Sequence, residues 1–277
     1  MVLDSQSLVN AQGESLTVEQ ALINLGQRQD SGLRYYAAWW LGRFRVSSPA
    51  ALEALILALE DDTEQAPDGS YPLRRNAARA LGKLGDRQVV PNLIRCLGCS
   101  DYYVREAAAQ ALGALGDERA IAPLRSLLAG GVAAAVPVAG KPHLVQPYNA
   151  IIEALGSLGA QQAVADITPF LDHGVVQVQN AAARALYQLT GDASYCQTLV
   201  DRLQSPNLQL RRSAMMDLGA IGYLAAAQPI AATPAENSLK LIALQGILET
   251  HLQAHRFPHQ PLSPQSQQVL ALMDDLL

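Results

Sequence analysis

Apolar residues return along this chain at helical spacing, in blocks that superpose without gaps. Leu33 to Gly42 reads LRYYAAWWLG, Leu73 to Gly82 LRRNAARALG, Val104 to Gly113 VREAAAQALG and Pro147 to Gly156 PYNAIIEALG. Val178 to Tyr187 reads VQNAAARALY and Leu210 to Gly219 LRRSAMMDLG, and a weaker copy spans Asn237 to Gly246. With the first residue of each block as position 0, positions 0, 4, 7 and 8 are mainly Leu, Val, Ala or Ile. That spacing aligns them on one face of an α-helix, and small alanines there let helices approach closely. The blocks end at 42, 82, 113, 156, 187 and 219. The basic period is therefore about 31 residues, with roughly 9 extra in one copy and roughly 12 in another, which fits a two-helix repeat.

A second glycine follows four of the blocks, giving the pairs Gly82/Gly85, Gly113/Gly116, Gly156/Gly159 and Gly219/Gly222. The later glycine suits a left-handed helix stop, and Asp86 and Asp117 then stand where they can cap the next helix. Partner helices are predicted at Pro49–Leu59, Val89–Leu97, Ala120–Leu128, Val164–Leu171 and Ser194–Leu203. Pro49, Pro91 and Pro123 fall near their starts, where proline is tolerated. We term the partners A helices and the repeated blocks B helices. A single hairpin cannot bury its stripe, whereas stacked hairpins share a continuous core. The expected fold is all-α: one HEAT-like helical-repeat solenoid (an alpha-alpha superhelix) over residues 1–277. Long connections at 61–72 and 130–147 interrupt it, both joining an A helix to the next B helix. Such segments are either neutral insertions or functional loops. After a break at Arg256 to Pro264, residues 265–277 form an amphipathic helix expected to cap the last repeat.

Composition narrows the function. The chain is 49% hydrophobic, 16% charged and 5% aromatic, which favours packed helices over a β-sandwich. A net charge of −5 supplies no global basic field for nucleic acid, although a local basic patch is compatible with it. Three cysteines are no disulfide framework and imply a reducing compartment. Met1 to Gln12 is polar, without the apolar core of a secretory signal, and no apolar run reaches the roughly 20 residues of a spanning helix. A soluble, cytoplasmic protein without membrane insertion is expected. Cys96 and Cys99 form a CxxC outside any βαβ context and read as buried or incidental. His251 and His255, with His259 nearby, read as a solvated helix end, and no metal site is expected. No phosphate-binding loop, dinucleotide fingerprint or nucleophile elbow is present.

Positions 2, 3, 6 and 10 of the B helices lie opposite the core stripe, on the side expected to be concave in such a stack. They give Tyr35, Tyr36, Trp39 and Arg43, then Arg75, Asn76, Arg79 and Lys83, then Glu106 and Gln110, then Asn149 and Glu153. Later repeats add Asn180, Arg184, Gln188, Arg212, Ser213 and Met216. Exposed aromatics beside arginines suit a flat, anionic, conjugated ligand or a protein hot spot. Trp39 and Trp40 have the alternative role of closing the first repeat's core. Position 1 is arginine in four copies, Arg34, Arg74, Arg105 and Arg211, and reads as a repeat-to-repeat ion pair rather than a ligand contact.

The segment Leu33 to Val46, LRYYAAWWLGRFRV, together with LRRNAARALGKLGD and VREAAAQALGALGD, resembles the E-type (alpha) subunit of the E/F-type phycocyanobilin lyases over nearly the whole chain. The resemblance implies a heterodimer with an F-type subunit, attaching phycocyanobilin through a thioether to a cysteine of the phycocyanin alpha subunit. The reactive thiol then belongs to the acceptor, and the bilin is a substrate, with no cofactor permanently bound. On that footing Arg75, Arg79 and Lys83 would hold the propionates, and Tyr35, Tyr36 and Trp39 would stack on the pyrroles, with Asn149 on the same surface. Glu106 or Glu153 would protonate or orient the bilin nitrogens. The rival readings are a non-catalytic repeat adaptor and a chromophore-detaching relative. A di-iron hydroxylase of similar fold needs His-Glu pairs, and the chain has no His-Glu dipeptide.

Overall fold

The computed structural model describes residues 16–254 and 262–277. The polar stretch to Gln12, His255, His259 and most of the Arg256–Pro264 break lie outside the described residues. The chain forms two compact units. One runs to Leu127 and takes in Ala134–Ala154; the other comprises Leu128–Ala133 and Leu155–Leu277. In the first lie α1 (Val18–Gly26), α2 (Ser31–Arg43), α3 (Pro49–Glu60), α4 (Pro72–Leu84), α5 (Val90–Cys96), α6 (Tyr102–Leu115) and α7 (Ile121–Ser126). The short α8 (Gly131–Ala134) and then α9 (Tyr148–Ser157) follow at the boundary. The second unit holds α10 (Val164–Ile167), α11 (Val176–Thr190), α12 (Ser194–Arg202), α13 (Leu208–Ile221), α14 (Ala227–Ala232), α15 (Asn237–Ala254) and α16 (Pro264–Asp274). The fold class is the expected all-α helical-repeat solenoid, with no β-strand among the described residues.

The first A helix, α1, was missing from the predicted set, although Thr17 carries its start signal: its hydroxyl accepts from the Gln20 N–H. The helix α14 was also missed. Several predicted A helices begin with a 3-10 turn before the α segment, at Arg87–Val89, Glu118–Ala120 and Gln161–Ala163. The predicted C-terminal helix does cap the last hairpin. Val269 of α16 is buried in the core that α13, α14 and α15 share, and Asn237 Nδ2 donates to the Leu276 carbonyl.

Consecutive B helices touch at position 9. A Cβ on Gly42 would stand 2.7 Å from Ala80 Cα, and one on Gly82 2.7 Å from Ala111 Cβ. Gly113 meets Ala154 in the first unit, and Gly156 meets Ala185 in the second, at similarly forbidden distances. So the Leu-Gly ending is a packing requirement: glycine at position 9 admits alanine at position 7 of the next helix. Two junctions depart from the rule. Between α13 and α15 Gly219 meets Ala243, at position 6 of its block. Between α11 and α13 the pair is Tyr187 and Asp217, and the space holds a loose polar cluster. Asn180 Nδ2 lies 3.3 Å from both Ser213 Oγ and Asp217 Oδ2, and Arg184 lies 3.6 Å from Asp217. Asn180, expected on the open face, is therefore buried, at 2% exposure.

The helix stops also follow one rule. Gly85, Gly116, Gly159 and Gly222, three residues after each position-9 glycine, all take positive φ. In the first repeat that place belongs to Arg45, with φ 50, the only non-glycine residue at positive φ among the described residues. Its bonds match those of the glycine stops. Arg45 N–H donates to the Gly42 carbonyl and Val46 N–H to that of Leu41, as Gly222 and Tyr223 do to Gly219 and Leu218. A non-glycine residue in this conformation costs about 1–2 kcal/mol.

The position-1 side chains bridge repeats, but mostly through carbonyls. Arg34 Nε donates to Leu25 O, Arg74 Nε to Leu59 O, Arg105 Nη1 to Cys99 O, Gln179 Nε2 to His173 O and Arg211 Nη1 to Ser205 O. Each acceptor lies at or just beyond the end of the preceding A-helix segment, where carbonyls lack helical partners. Three of them also reach forward: Arg34 to Asp61 and Glu64, Arg105 to Val145 O and Gln146, and Arg211 to Pro234 O. Of these position-1 residues only Arg34 makes the expected ion pair. The arginine recurs because its several N–H groups serve two repeats at once.

Both insertions are consequently pinned. The first, between α3 and α4, is tied by Asp61 and Glu64 to Arg34 and by the Tyr71 N–H to Asp101 Oδ2. The second is more than a loop: α8 is followed by an antiparallel bridge between Pro137 and Leu144, and Arg105 holds its end.

Two stability tests follow. Gly42→Ala should destabilise by about 1–3 kcal/mol through overpacking. Gly26→Ala, whose Cβ meets nothing within 4 Å, should stay within about 0.5 kcal/mol of the parent in urea unfolding. Asp61 is opposed by burial, but the Thr63 hydroxyl and N–H and Arg34 hold its carboxyl down at about 2. A depressed carboxylate stabilises above its unfolded value and loses that contribution as pH falls through the folded one. Asp61→Asn should thus cost about 2 kcal/mol at neutral pH. That gap to the parent should close as pH falls from 3.8 towards about 2.

Candidate functional site

In the first unit the gapless repeat and the common Gly–Ala contact set equivalent positions of successive B helices side by side. Position 6 gives the row Trp39, Arg79, Gln110 and Glu153, and position 2 the row Tyr35, Arg75, Glu106 and Asn149. The two tryptophans part company. Trp40, at position 7, is 8% exposed and rests on Phe44, with ring centroids 4.8 Å apart. It stands at the position where the next three B helices carry alanine. Trp39 is 38% exposed and stacks on Tyr36 with centroids 5.5 Å apart. Tyr35 is half-buried and its carbonyl accepts from Asn76 Nδ2. An open aromatic pair thus faces out of α2 while Trp40 closes the core.

Beside it α4 and α6 form a groove of ≈ 470 Å³, floored by Gly82, Ala107 and Ala111 and rimmed by Arg79, Lys83 and Arg45. Among the described residues none of these three cations makes a hydrogen bond or ion pair at its side chain. Arg75, expected in the same clamp, is set apart. Its guanidinium lies over the Tyr103 ring, 5.8 Å from the centroid, and its buried Nε has no hydrogen-bond partner. The predicted basic patch is therefore split, and Arg45 takes the third place on the rim. The sequence signal for Arg45 was an arginine where the repeat calls for glycine.

Glu106 faces Arg75, Arg79 and His143 from the start of α6. Burial pushes its carboxyl up from the ordinary range, and the charges of Arg79, Arg75 and His143 pull it back without undoing the rise. Tyr102, one turn earlier, is pushed to about 12 by burial and by Glu106, so it stays protonated. Glu153 and Asn149 are half-buried on α9.

The two insertions meet at this end of α6. They enclose a second hollow of ≈ 440 Å³, lined by Asp68 and Ser70 from the first, Lys141 and His143 from the second, and Tyr103 and Arg105 from α6. His143 stacks on Tyr102 with centroids 4.1 Å apart, and its Nδ1 donates to the Leu144 carbonyl. The sequence places both insertions between an A helix and the next B helix, but nothing in its periodicity tells which loop residues turn inward.

In the second unit, Arg212 pairs with Glu236, and Arg184 and Ser213 belong to the polar cluster with Asp217. Burial raises the Asp217 carboxyl, against Arg184 and the hydrogen bonds from Asn180 and Ser213. Met216 stays exposed. All three cysteines are buried and free. Burial raises the Cys96 thiol and pushes that of Cys196 to about 12, so neither is a ready thiolate. Among the described residues no helix is long and apolar enough to cross a membrane.

The comparisons agree with this architecture. Residues 63–136 and 147–232 match the HEAT repeats model, and residues 33–61 match the PBS lyase HEAT-like repeat. The phycocyanobilin lyase subunit alpha of Synechocystis sp. (strain PCC 6803) is 62% identical over 262 residues, covering 94% of this chain and 96% of that protein. The bilin biosynthesis protein PecE of Nostoc sp. (strain PCC 7120) is 42% identical, covering 90% of this chain and 92% of its own length. A solved structure, the complex of CpcE and CpcF of phycocyanin lyase from Nostoc sp. PCC7120, superposes with a TM-score of 0.87 at 58% identity. That match covers 95% of this chain and 96% of the solved one. With identity this high across almost the entire length and the same repeat architecture, the chain belongs to the family of phycocyanobilin lyase alpha subunits.

Proposed function

We propose that the chain is the alpha subunit of a heterodimeric lyase. With an F-type subunit it attaches phycocyanobilin, through a thioether, to a cysteine of the phycocyanin alpha subunit. The observation that carries this reading is the groove. Unpaired cations rim a floor of glycine and alanine, an open aromatic pair lies on the neighbouring B helix, and a carboxyl held above its usual range stands beside Arg79. A flat conjugated molecule with two propionates matches each of these features. Phycocyanobilin enters as substrate, with no permanently bound cofactor, and the protein works in the cytoplasm.

The reaction adds an S–H across a carbon–carbon double bond of the tetrapyrrole. One C–S bond forms, the thiol hydrogen ends on the bilin, and no oxidant or leaving group is required. The acceptor protein brings the sulfur, which agrees with buried cysteines on this chain. What remains for the lyase is to hold the ring system and supply a proton. Arg79 and Lys83 bind carboxylate, Tyr36 and Trp39 stack on a pyrrole with Tyr35 and Asn149 alongside, and Glu106 protonates a bilin nitrogen. A protonated chromophore accepts a thiolate more readily. Arg75 sits within the field of Glu106 and steadies its charged form rather than clamping a propionate. Glu153, on the next B helix of the same unit, is the second carboxyl on this surface. Fixed geometry of this kind also explains why an enzyme is needed, since free bilins add to thiols slowly and with mixed products.

Reconstitution tests the reading. The chain, an F-type subunit, phycocyanobilin and apo phycocyanin alpha subunit should together give covalent bilin on the denatured acceptor, and omission of either lyase subunit should abolish it. An intact heterodimer that transfers nothing would favour an adaptor or a chromophore-detaching role. Within that assay, Glu106→Gln should slow transfer by about 10²-fold. The parent's rate should decline as rising pH removes the Glu106 proton, and the variant should lack that limb of the profile. A variant with the parent's rate and profile would remove Glu106 from the chemistry.

A further inference from the structure

Four B helices end on a left-handed glycine three residues after the position-9 glycine, and the first ends on Arg45 in the same conformation. The two hydrogen bonds that close the first helix do not call for an arginine, since Gly159 and Gly222 close theirs identically through backbone groups alone. Glycine at 45 would therefore serve the fold better, as the repeat itself demonstrates at 85, 116, 159 and 222. Strained residues persist where function holds them. The Arg45 side chain is exposed, makes no hydrogen bond or ion pair among the described residues, and rims the α4/α6 groove together with Arg79 and Lys83. The three cations reach the groove from different stretches of chain, Arg45 from beyond the end of α2 and the other two from α4.

We infer that Arg45 is a carboxylate-binding residue of the groove, kept in a left-handed conformation because that turn directs its guanidinium to a propionate of the bilin. The inference deepens the lyase reading and rests on it. Arg79 and Lys83, four residues apart on α4, hold one carboxylate, and Arg45, from the turn that ends α2, holds the other. A planar guanidinium can grip a carboxylate through two parallel hydrogen bonds, so it fixes the orientation of the tetrapyrrole as well as its charge.

The experiment uses the heterodimer with the F-type subunit and two probes, phycocyanobilin and its dimethyl ester, with affinity read by absorbance titration. Arg45→Gly should raise the Tm by about 2–4 °C, because the strain is relieved. The same variant should bind the free acid about tenfold more weakly while its affinity for the ester stays at the parent's value. Arg45→Asn, which tolerates the left-handed conformation without a charge, should show the same loss. Arg45→Lys should recover part of it. Unchanged free-acid affinity in both Arg45→Gly and Arg45→Asn would overturn the inference, as would equal losses for acid and ester. Weakened binding of the F-type subunit with bilin affinity intact would overturn it too, by assigning Arg45 to the protein interface. The lyase reading has its own readout: parent heterodimer that forms no covalent adduct refutes that reading whatever Arg45 does.

Discussion

The contact between a glycine at the end of one B helix and an alanine inside the next is what the rest of the structure hangs on. It permits backbones to approach to a distance that any larger pair forbids, and it recurs at Gly42–Ala80, Gly82–Ala111 and Gly113–Ala154. Because the contact repeats at the same two positions, each B helix of the first unit is set against its neighbour in the same register. The outward positions then line up in rows without any contact of their own to order them. The groove is a direct consequence: its floor includes Gly82 and Ala111, which make the close approach, and its charged rim is Arg79 and Lys83 of α4 with Arg45. Small residues chosen for packing leave room above them, and that room is the groove.

A second layer of organisation comes from the arginines at position 1. An A helix of only four to twelve residues ends with several carbonyls that lack partners, and a side chain with many donors placed at the start of the next B helix supplies them. Where the guanidinium has donors to spare it reaches on to the segment entering the next repeat, and the two insertions are gripped in this way by Arg34 and Arg105. Long connections in a repeat array gain nothing from the repeat contact itself. These two are held by side chains the repeat already provides, and that brings Asp68, Lys141 and His143 together at the start of α6.

Much of this was legible in the sequence, for physical reasons. Period-3.6 stripes and the 31-residue recurrence give the B helices, and a helix of ten or more residues has enough turns to announce itself. Length alone does not decide which A helices show: α5, α7 and α10 are no longer than α14 by more than a residue, and they were found from their places between B helices. The position-9 glycines were visible as a pattern, but their reason was not, since a close approach depends on a partner about 30 to 40 residues away. Surface assignments at positions 2 and 6 held for Trp39 and Arg79 and failed for Asn180. The failure occurs where Tyr187 and Asp217 replace the Gly–Ala pair, so the neighbouring helices carry a polar cluster in place of the small-residue contact. Arg75 was misplaced for a different cause: an aromatic neighbour, Tyr103, competes for its guanidinium, and such a contact between two helices leaves no trace in either one's periodicity.

The electrostatics of the site turn on a competition at Glu106. The charges of Arg79, Arg75 and His143 pull it down, and alone they would make it a stronger acid than a free glutamate. Burial at the start of α6 outweighs them, so the group sits above its usual range. The opposite outcome appears at Asp61, where the Thr63 hydroxyl and N–H and Arg34 bond the carboxylate directly and overcome its burial. The difference is hydrogen bonding: Asp61 receives donors in contact, whereas Glu106 feels charges that do not bond to it. A carboxyl in the second situation can release a proton to a ligand and take it back. Nearby arginines then stabilise the anion at the moment it forms, which is the property a proton donor beside a dianionic chromophore requires.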